Sequence, residues 1–208
     1  MSSYPKPIQH LIELFSKFPG IGPKQAARFA FHILNEDETK LDEIARAIKG
    51  IKTEVGFCGL CYRSIEMKHK KNEVPLCEYC SSKSRDPKIV MIVEKEADLA
   101  NIERTHAFNG LYHILGGTIS PLDSSGPTKL HIKELFHRIQ KLKMEDGSPE
   151  VILATNPTTE GDMTALYIER VLKPLEAQIS RLGRGLGTGA ELEYADEVTI
   201  ANALTNRK

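Results

Sequence analysis

Apolar residues recur along this chain in two rhythms, helical near the start and strand-like in the middle. Ile8, Leu11, Ile12 and Phe15 lie three or four positions apart, which predicts a helix over about 7–17 that hides one face. Phe18-Pro-Gly-Ile-Gly-Pro-Lys24 ends it. Glycines on either side of one apolar residue permit a tight turn with positive φ, and Pro23 stands where a proline best starts the next helix. That second helix, 24–34, is expected to bury Ala26, Ala27, Phe29, Ala30 and Ile33. A third amphipathic helix follows, with Thr39 and Asp42 spaced as a capping box and Leu41, Ile44, Ala45, Ile48 and Ile51 facing inward as core.

From about residue 83 the rhythm changes. Pro87-Lys-Ile-Val-Met-Ile-Val-Glu94 is a continuous apolar run of strand type ending on a carboxylate. A helical stretch near 97–105 follows, then an apolar patch at 111–115 closed by Gly116-Gly117, and a loop over 118–127 rich in Ser, Pro and Gly. Ile132, Leu135, Phe136 and Ile139 mark another amphipathic helix, and Gly147-Ser-Pro149 turns the chain. Val151 to Ala154 then reads as a second buried strand that runs into Thr155-Asn-Pro-Thr-Thr-Glu-Gly-Asp162. Strands alternating with helices imply a parallel sheet with right-handed crossovers, and ligands and catalytic groups collect at the carboxyl ends of such strands. The last stretch, 196–204, is expected to be a helix that covers the core or packs on a neighbouring subunit.

Composition narrows the functions available. With 208 residues and 40% hydrophobic content the chain can bury a core, and Lys+Arg 28 against Asp+Glu 28 leaves no bulk charge. Any nucleic-acid binding must therefore come from local basic patches or from subunits pooling them. The start has no apolar run of signal-peptide type and no segment approaches a membrane span, so a cytoplasmic protein is expected.

The cysteines carry the sharpest chemistry. Cys58-Gly-Leu-Cys61 and Cys77-Glu-Tyr-Cys80 have the spacing of a four-thiolate zinc site, a closed tetrahedron with no position for water, hence structural. A redox pair or free thiols are the alternatives, and His69 is either a further ligand or a solvated loop residue. Lys68-His-Lys-Lys71 can touch DNA or merely offset the negative thiolate centre. In the N-terminal module, the Pro-Gly-Ile-Gly turn with Gly20 and Gly22 exposes N–H groups suited to a backbone phosphate, and Lys24 and Arg28, one helical turn apart, add charge. The plainer reading is an αα-hairpin whose glycines only permit the turn. Gly185-Leu-Gly-Thr-Gly-Ala190 fits the loose dinucleotide fingerprint, but no long helix follows promptly and no ribose-binding acid can, so the nucleotide reading is rejected; no phosphate-loop motif of ATPases occurs.

Several of these motifs resemble known families. The hairpin is similar to helix-hairpin-helix elements, which bind DNA without reading its sequence. Glu94 at one strand end, with Glu160-Gly-Asp162 after the other, resembles the Toprim domain of topoisomerases and primases. Where catalytic Toprim members carry Asp-x-Asp to hold Mg²⁺, this chain has Asn156 and Thr158, which bring no charge. Hairpin, cysteines, Thr-Asn-Pro-Thr-Thr-Glu-Gly-Asp, and then Arg181-Leu-Gly-Arg-Gly-Leu with Leu192-Glu-Tyr-Ala-Asp196 occur in the order of the RecR family of bacterial recombination mediators. Gly183 and Gly187 stand where relatives more often have Ala and Pro.

The resemblance implies a mixed α/β protein. Its parts would be a helix-hairpin-helix module at 1–54, a four-cysteine zinc finger at 55–82, a Toprim domain at 83–177 and a Walker-B-like C-terminal strand and helix extension at 178–208, without ATPase activity. It implies a ring-shaped homo-oligomer, usually a tetramer, that breaks no bond itself and acts in the nucleoid with RecO and, where it exists, RecF, helping RecA replace single-strand-binding protein at gaps. Lys24, Arg28, Gly20 and Gly22 would face DNA, and Cys58, Cys61, Cys77 and Cys80 would hold Zn²⁺. Glu94, Glu160 and Asp162 would contact RecO or form a vestigial Mg²⁺ site, and the first and last helical regions would join subunits. The competing reading is a Mg²⁺-dependent Toprim nuclease or topoisomerase-type enzyme using the same acids. Tyr112 and Tyr167, nominal nucleophiles for it, sit in apolar patterns and are expected in the core. A sequence-reading zinc-finger regulator fares worst, because no recognition helix follows the knuckles.

Overall fold

The computed structural model describes residues 4–67, 74–120 and 126–207. The basic cluster at 68–71, including His69, lies outside them. The chain divides into compact units Met1–Val55 and Gly56–Lys208.

In the N-terminal unit, α1 (Lys6–Phe15) and α2 (Pro23–Leu34) form the hairpin, with Pro23 in the first turn of α2 as its fixed φ favours. Only Ala26 and Ala30 of α2 are buried; small side chains let the helices approach, while Phe29 stays partly exposed. Phe15 packs edge-on against Phe29 with ring centroids 5.9 Å apart, and Phe18 lies 6.2 Å from Phe15, bracing the turn. The next helix, α3 (Glu38–Glu54), departs from expectation. It begins at Glu38 with Asp37 as N-cap, so Thr39 lies inside the helix rather than capping it. No residue of α3 is buried, and Ile48 and Ile51 are 63% and 60% exposed. Its apolar stripe is therefore not core within the N-terminal unit.

The larger unit opens with a short sheet of β1 (Val55–Phe57) and β2 (Ser64–Glu66), followed by α4 (Glu78–Ser81). Then come β3 (Asp86–Val93), α5 (Glu96–Glu103), β4 (Gly110–Ile114), α6 (Gly126–Lys129), α7 (Ile132–Asp146), β5 (Glu150–Ala154), α8 (Thr159–Leu172), β6 (Gln178–Arg181) and α9 (Glu197–Thr205). The second sheet has the order β4-β3-β5-β6, every neighbouring pair parallel. It takes in 178–181, residues that the sequence pattern places with the C-terminal segment.

Alternation along β3 explains its unbroken apolar run. Val90 and Ile92 join Leu135, Ile139, Ile168 and Leu172 on one face, while Met91 and Val93 join Leu99, Tyr112 and Ile114 on the other. Both faces are covered, as a parallel sheet requires, and each fully buried branched side chain contributes about 1.5–3 kcal/mol. Tyr112 is core as expected. Tyr167 is not: it lies partly exposed on the outer side of α8. Register places Val93 beside Ala154, so the loops after β3 and β5 leave the sheet together. No helix among the described residues is long and apolar enough to cross a membrane.

Candidate metal centre, strand-end corner and phosphate-binding hairpin

The knuckles converge. Sγ atoms of Cys58, Cys61, Cys77 and Cys80 all lie within 4.8 Å of one another, the first three buried. Cys61 and Cys77 sulfurs stand 3.5 Å apart. Four thiolates around one tetrahedral ion need sulfur separations of about 3.8 Å for metal–sulfur bonds of about 2.3 Å, so the cluster fits a metal. Backbone geometry builds it: Cys58 N–H donates to Arg63 O (2.8 Å), Gly59 N–H to Pro75 O (2.9 Å), and Cys77 N–H to Cys58 Sγ (3.3 Å). Tyr62, at φ 65°, closes the first knuckle. Contact with Cys61, Cys77 and Cys80 favours the Cys58 thiolate, and contact with Cys58 foremost pushes the Cys61 and Cys80 thiols upward, since neighbouring thiols cannot all ionise without a cation.

This module is stitched to the sheet. Ile114 N–H donates to Cys61 O (2.9 Å), Arg63 pairs with Glu78 and Glu96, and Ser64 N–H donates to Glu96 (3.2 Å). Tyr79 lies under the guanidinium groups of Arg63 and Arg85, at 4.7 and 4.6 Å. Arg85 in turn binds Glu103, which also accepts from the buried Tyr112 hydroxyl.

At the carboxyl ends of β3 and β5 the three acids occupy three different environments. Glu94 is 6% exposed, and its oxygens accept from Asn156 N–H (2.7 Å) and Asn156 Nδ2 (2.5 Å). Thr158 caps α8 by accepting from Gly161 N–H (3.1 Å). Glu160 is exposed. Asp162 is clasped by Arg184 through both terminal guanidinium nitrogens, Nη1 and Nη2, with Arg181 at 3.4 Å. Arg184, and secondarily Arg181, hold its carboxyl below the usual carboxylate range. Among the described residues, the cysteines form the only group of three or more His, Cys, Asp or Glu side chains whose ligand atoms lie within 4.8 Å of one another. Glu94, Glu160 and Asp162 thus share a corner without converging on one point. A cleft of about 730 Å³ beside them is lined by Asn156, Asp162, Arg181 and Arg184 together with Asp98 and Asn202.

Sequence reasoning missed the roles of Arg181 and Arg184 toward Asp162, because those partners lie 19 and 22 residues away with no local pattern to link them. The C-terminal segment is held nearby: Leu182 N–H donates to Leu153 O (3.2 Å), and Asn206 Nδ2 donates to Arg184 O (3.0 Å).

In the hairpin, Gly20 has φ +76°, a conformation L side chains rarely adopt, and Ile21 N–H donates to Phe18 O (3.1 Å). Ala26 N–H makes the first helical bond, to Gly22 O (3.0 Å), so the Lys24 and Gln25 N–H groups point outward from the helix start. Gly22 faces open space, and Lys24 and Arg28 are both exposed one turn apart.

Comparison with known proteins agrees with this layout. Residues 8–51 match the RecR helix-hairpin-helix family, 88–183 the Toprim domain and 185–208 the RecR C-terminal family. Recombination protein RecR of Cutibacterium acnes is 45% identical over 204 residues, covering 98% of this chain and 96% of that protein. The Chloroherpeton thalassium protein of that name is 42% identical over 200 residues, 96% and 95% of the two chains. The Natranaerobius thermophilus one is 41% identical over 208 residues, 100% and 99%. With matches of this identity running end to end, the chain belongs to the RecR family of recombination proteins.

Proposed function

We propose that this chain is a non-catalytic recombination mediator. It acts as a DNA-binding ring, a homotetramer, that works in the nucleoid with RecO, and with RecF where present, to promote RecA loading onto single-stranded DNA covered by single-strand-binding protein. The observation that carries the non-catalytic part is the fate of the strand-end acids: Glu94 is engaged by Asn156, Asp162 by Arg184, and Glu160 alone is open. Asn156 and Thr158 act here as a loop donor and a helix cap.

Other features support the remaining parts. Outward N–H groups beside exposed Lys24 and Arg28 suit a backbone phosphate, with Gly20 and Gly22 shaping the turn. Soft thiolates in a closed set suit Zn²⁺ on Cys58, Cys61, Cys77 and Cys80, which when bound supplies folding free energy to a segment too short for its own core. The uncovered stripe of α3, and Leu192, Tyr194 and Val198 near the end, offer apolar surface for subunit contact. Glu160 and the rim of Asp162 offer negative charge to a basic surface of RecO, with Glu94 holding the loop that presents them.

The test is incubation of the full chain with Mg²⁺ and single- or double-stranded DNA. Binding without cleavage is expected. Metal-dependent cleavage that disappears in Glu94→Ala would overturn this reading in favour of a Toprim enzyme.

A further inference from the structure

The thiolate cluster has a neighbour that the cysteine spacing does not reveal. Arg138 projects from α7, next to the core residue Ile139, and one nitrogen, Nη1, donates both to Leu60 O (3.1 Å) and to Tyr112 O (2.6 Å). Leu60 lies inside the Cys58–Cys61 knuckle and Tyr112 in β4, so this one side chain bridges the knuckle and the sheet across 78 residues of sequence. Its second terminal nitrogen, Nη2, is buried and has no hydrogen-bond partner among the described residues.

A buried guanidinium remains charged, and burying a charge without a counter-ion is costly. Arg63 and Arg85 each meet a carboxylate, but among the described residues Arg138 has none within ion-pair distance. The anionic groups that act on it are the four cysteine sulfurs, Cys80 foremost. His113 beside it is buried and held neutral, first by burial and then by the Arg138 charge, so it adds no second positive charge there and offers no counter-ion. Four thiolates around a divalent cation carry a net charge of about −2, the charge that a buried arginine lacks.

We propose that Arg138 is the internal counter-ion and anchor of the four-cysteine metal site, stabilising its net negative charge while tying the Cys58–Cys61 knuckle to α7 and β4. It is a positioning residue, not a ligand. The proposal rests on the zinc reading above and deepens it.

The experiment compares zinc affinity of the full chain, by chelator competition, in wild type, Arg138→Gln and Arg138→Lys. Arg138→Gln should bind zinc about 10–100-fold more weakly, the usual loss when a partner behind the ligands is removed. Arg138→Lys keeps the charge and should stay within about threefold of wild type. Stripping zinc should also lower the melting temperature less in Arg138→Gln than in wild type, because the charge and the metal site are energetically coupled. Unchanged affinity in Arg138→Gln, or an equal loss in Arg138→Lys, overturns the counter-ion role while leaving the zinc site standing. A wild-type chain that takes up no zinc removes both. Should Arg138→Gln fail to fold, Arg138→Lys decides alone: retained affinity supports the role, and a tenfold loss refutes it.

Discussion

A Cβ added to Gly161 would lie 2.1 Å from Asn156 O and 2.9 Å from Glu94 Oε1, a collision with backbone that cannot be relieved by rotating a side chain. The absent side chain lets α8 start against the loop after β5, and lets Glu94 reach Asn156. Gly161→Ala should therefore cost about 1–3 kcal/mol in urea unfolding, as overpacking of a closed site does. His113 sets a pH dependence. Burial, then Arg138, lowers its pKa to about 3, with Nε2 against His131 O at 2.8 Å. Between about pH 6.5 and pH 3 the unfolded chain binds a proton there that the folded chain does not, so stability is full above that window and falls through it. The slope is up to about 1.4 kcal/mol per pH unit. With zinc held constant, His113→Gln should flatten the urea midpoint against pH across that range by the amount due to this one group.

For the hairpin, Lys24→Glu with Arg28→Glu should weaken DNA binding at moderate salt and reduce the slope of log affinity against log salt by about one for each phosphate that is no longer neutralised. Neither side chain is buried, so the melting temperature should barely move. Full affinity in the double variant would exclude this face as the DNA-binding surface. For α3, Ile48→Asp with Ile51→Asp alters a face that the N-terminal unit leaves uncovered. Helix content should remain by circular dichroism while light scattering shows a smaller particle; an unchanged particle mass would place subunit contacts elsewhere. Elements themselves were legible wherever the period was long. The helix starting at Pro23, the strand over Val90–Val93 and the strand over Val151–Ala154 follow from apolar spacing and from proline and glycine punctuation. The direction of α3's stripe was not, because periodicity shows which face is apolar and not whether anything within the chain covers it.

For the whole molecule, native mass spectrometry should report one zinc per chain and masses in multiples of the subunit, and chelation should shift unfolding to lower temperature. A particle containing no zinc would contradict the reading of the cysteines. With Lys+Arg 28 against Asp+Glu 28, the proposed DNA binding would depend on assembly, since each chain places few basic groups on its hairpin and the proposed ring would add them together.

Cysteine spacing, the glycine turn and the strand-end Glu94 and Glu-Gly-Asp run were determined by sequence alone, because each is a local pattern whose chemistry depends on residues a few positions apart. Tertiary structure decided how those groups are used. The closure of Arg184 on Asp162, the donation of Asn156 to Glu94 62 residues away and the reach of Arg138 to Leu60 join positions with no common period. The parallel pairing of β3 with β5 and of β5 with β6, and α7 packed over the sheet, bring them within hydrogen-bonding distance. An acidic corner that the sequence leaves open to metal is, in the fold, largely occupied by the protein's own donors.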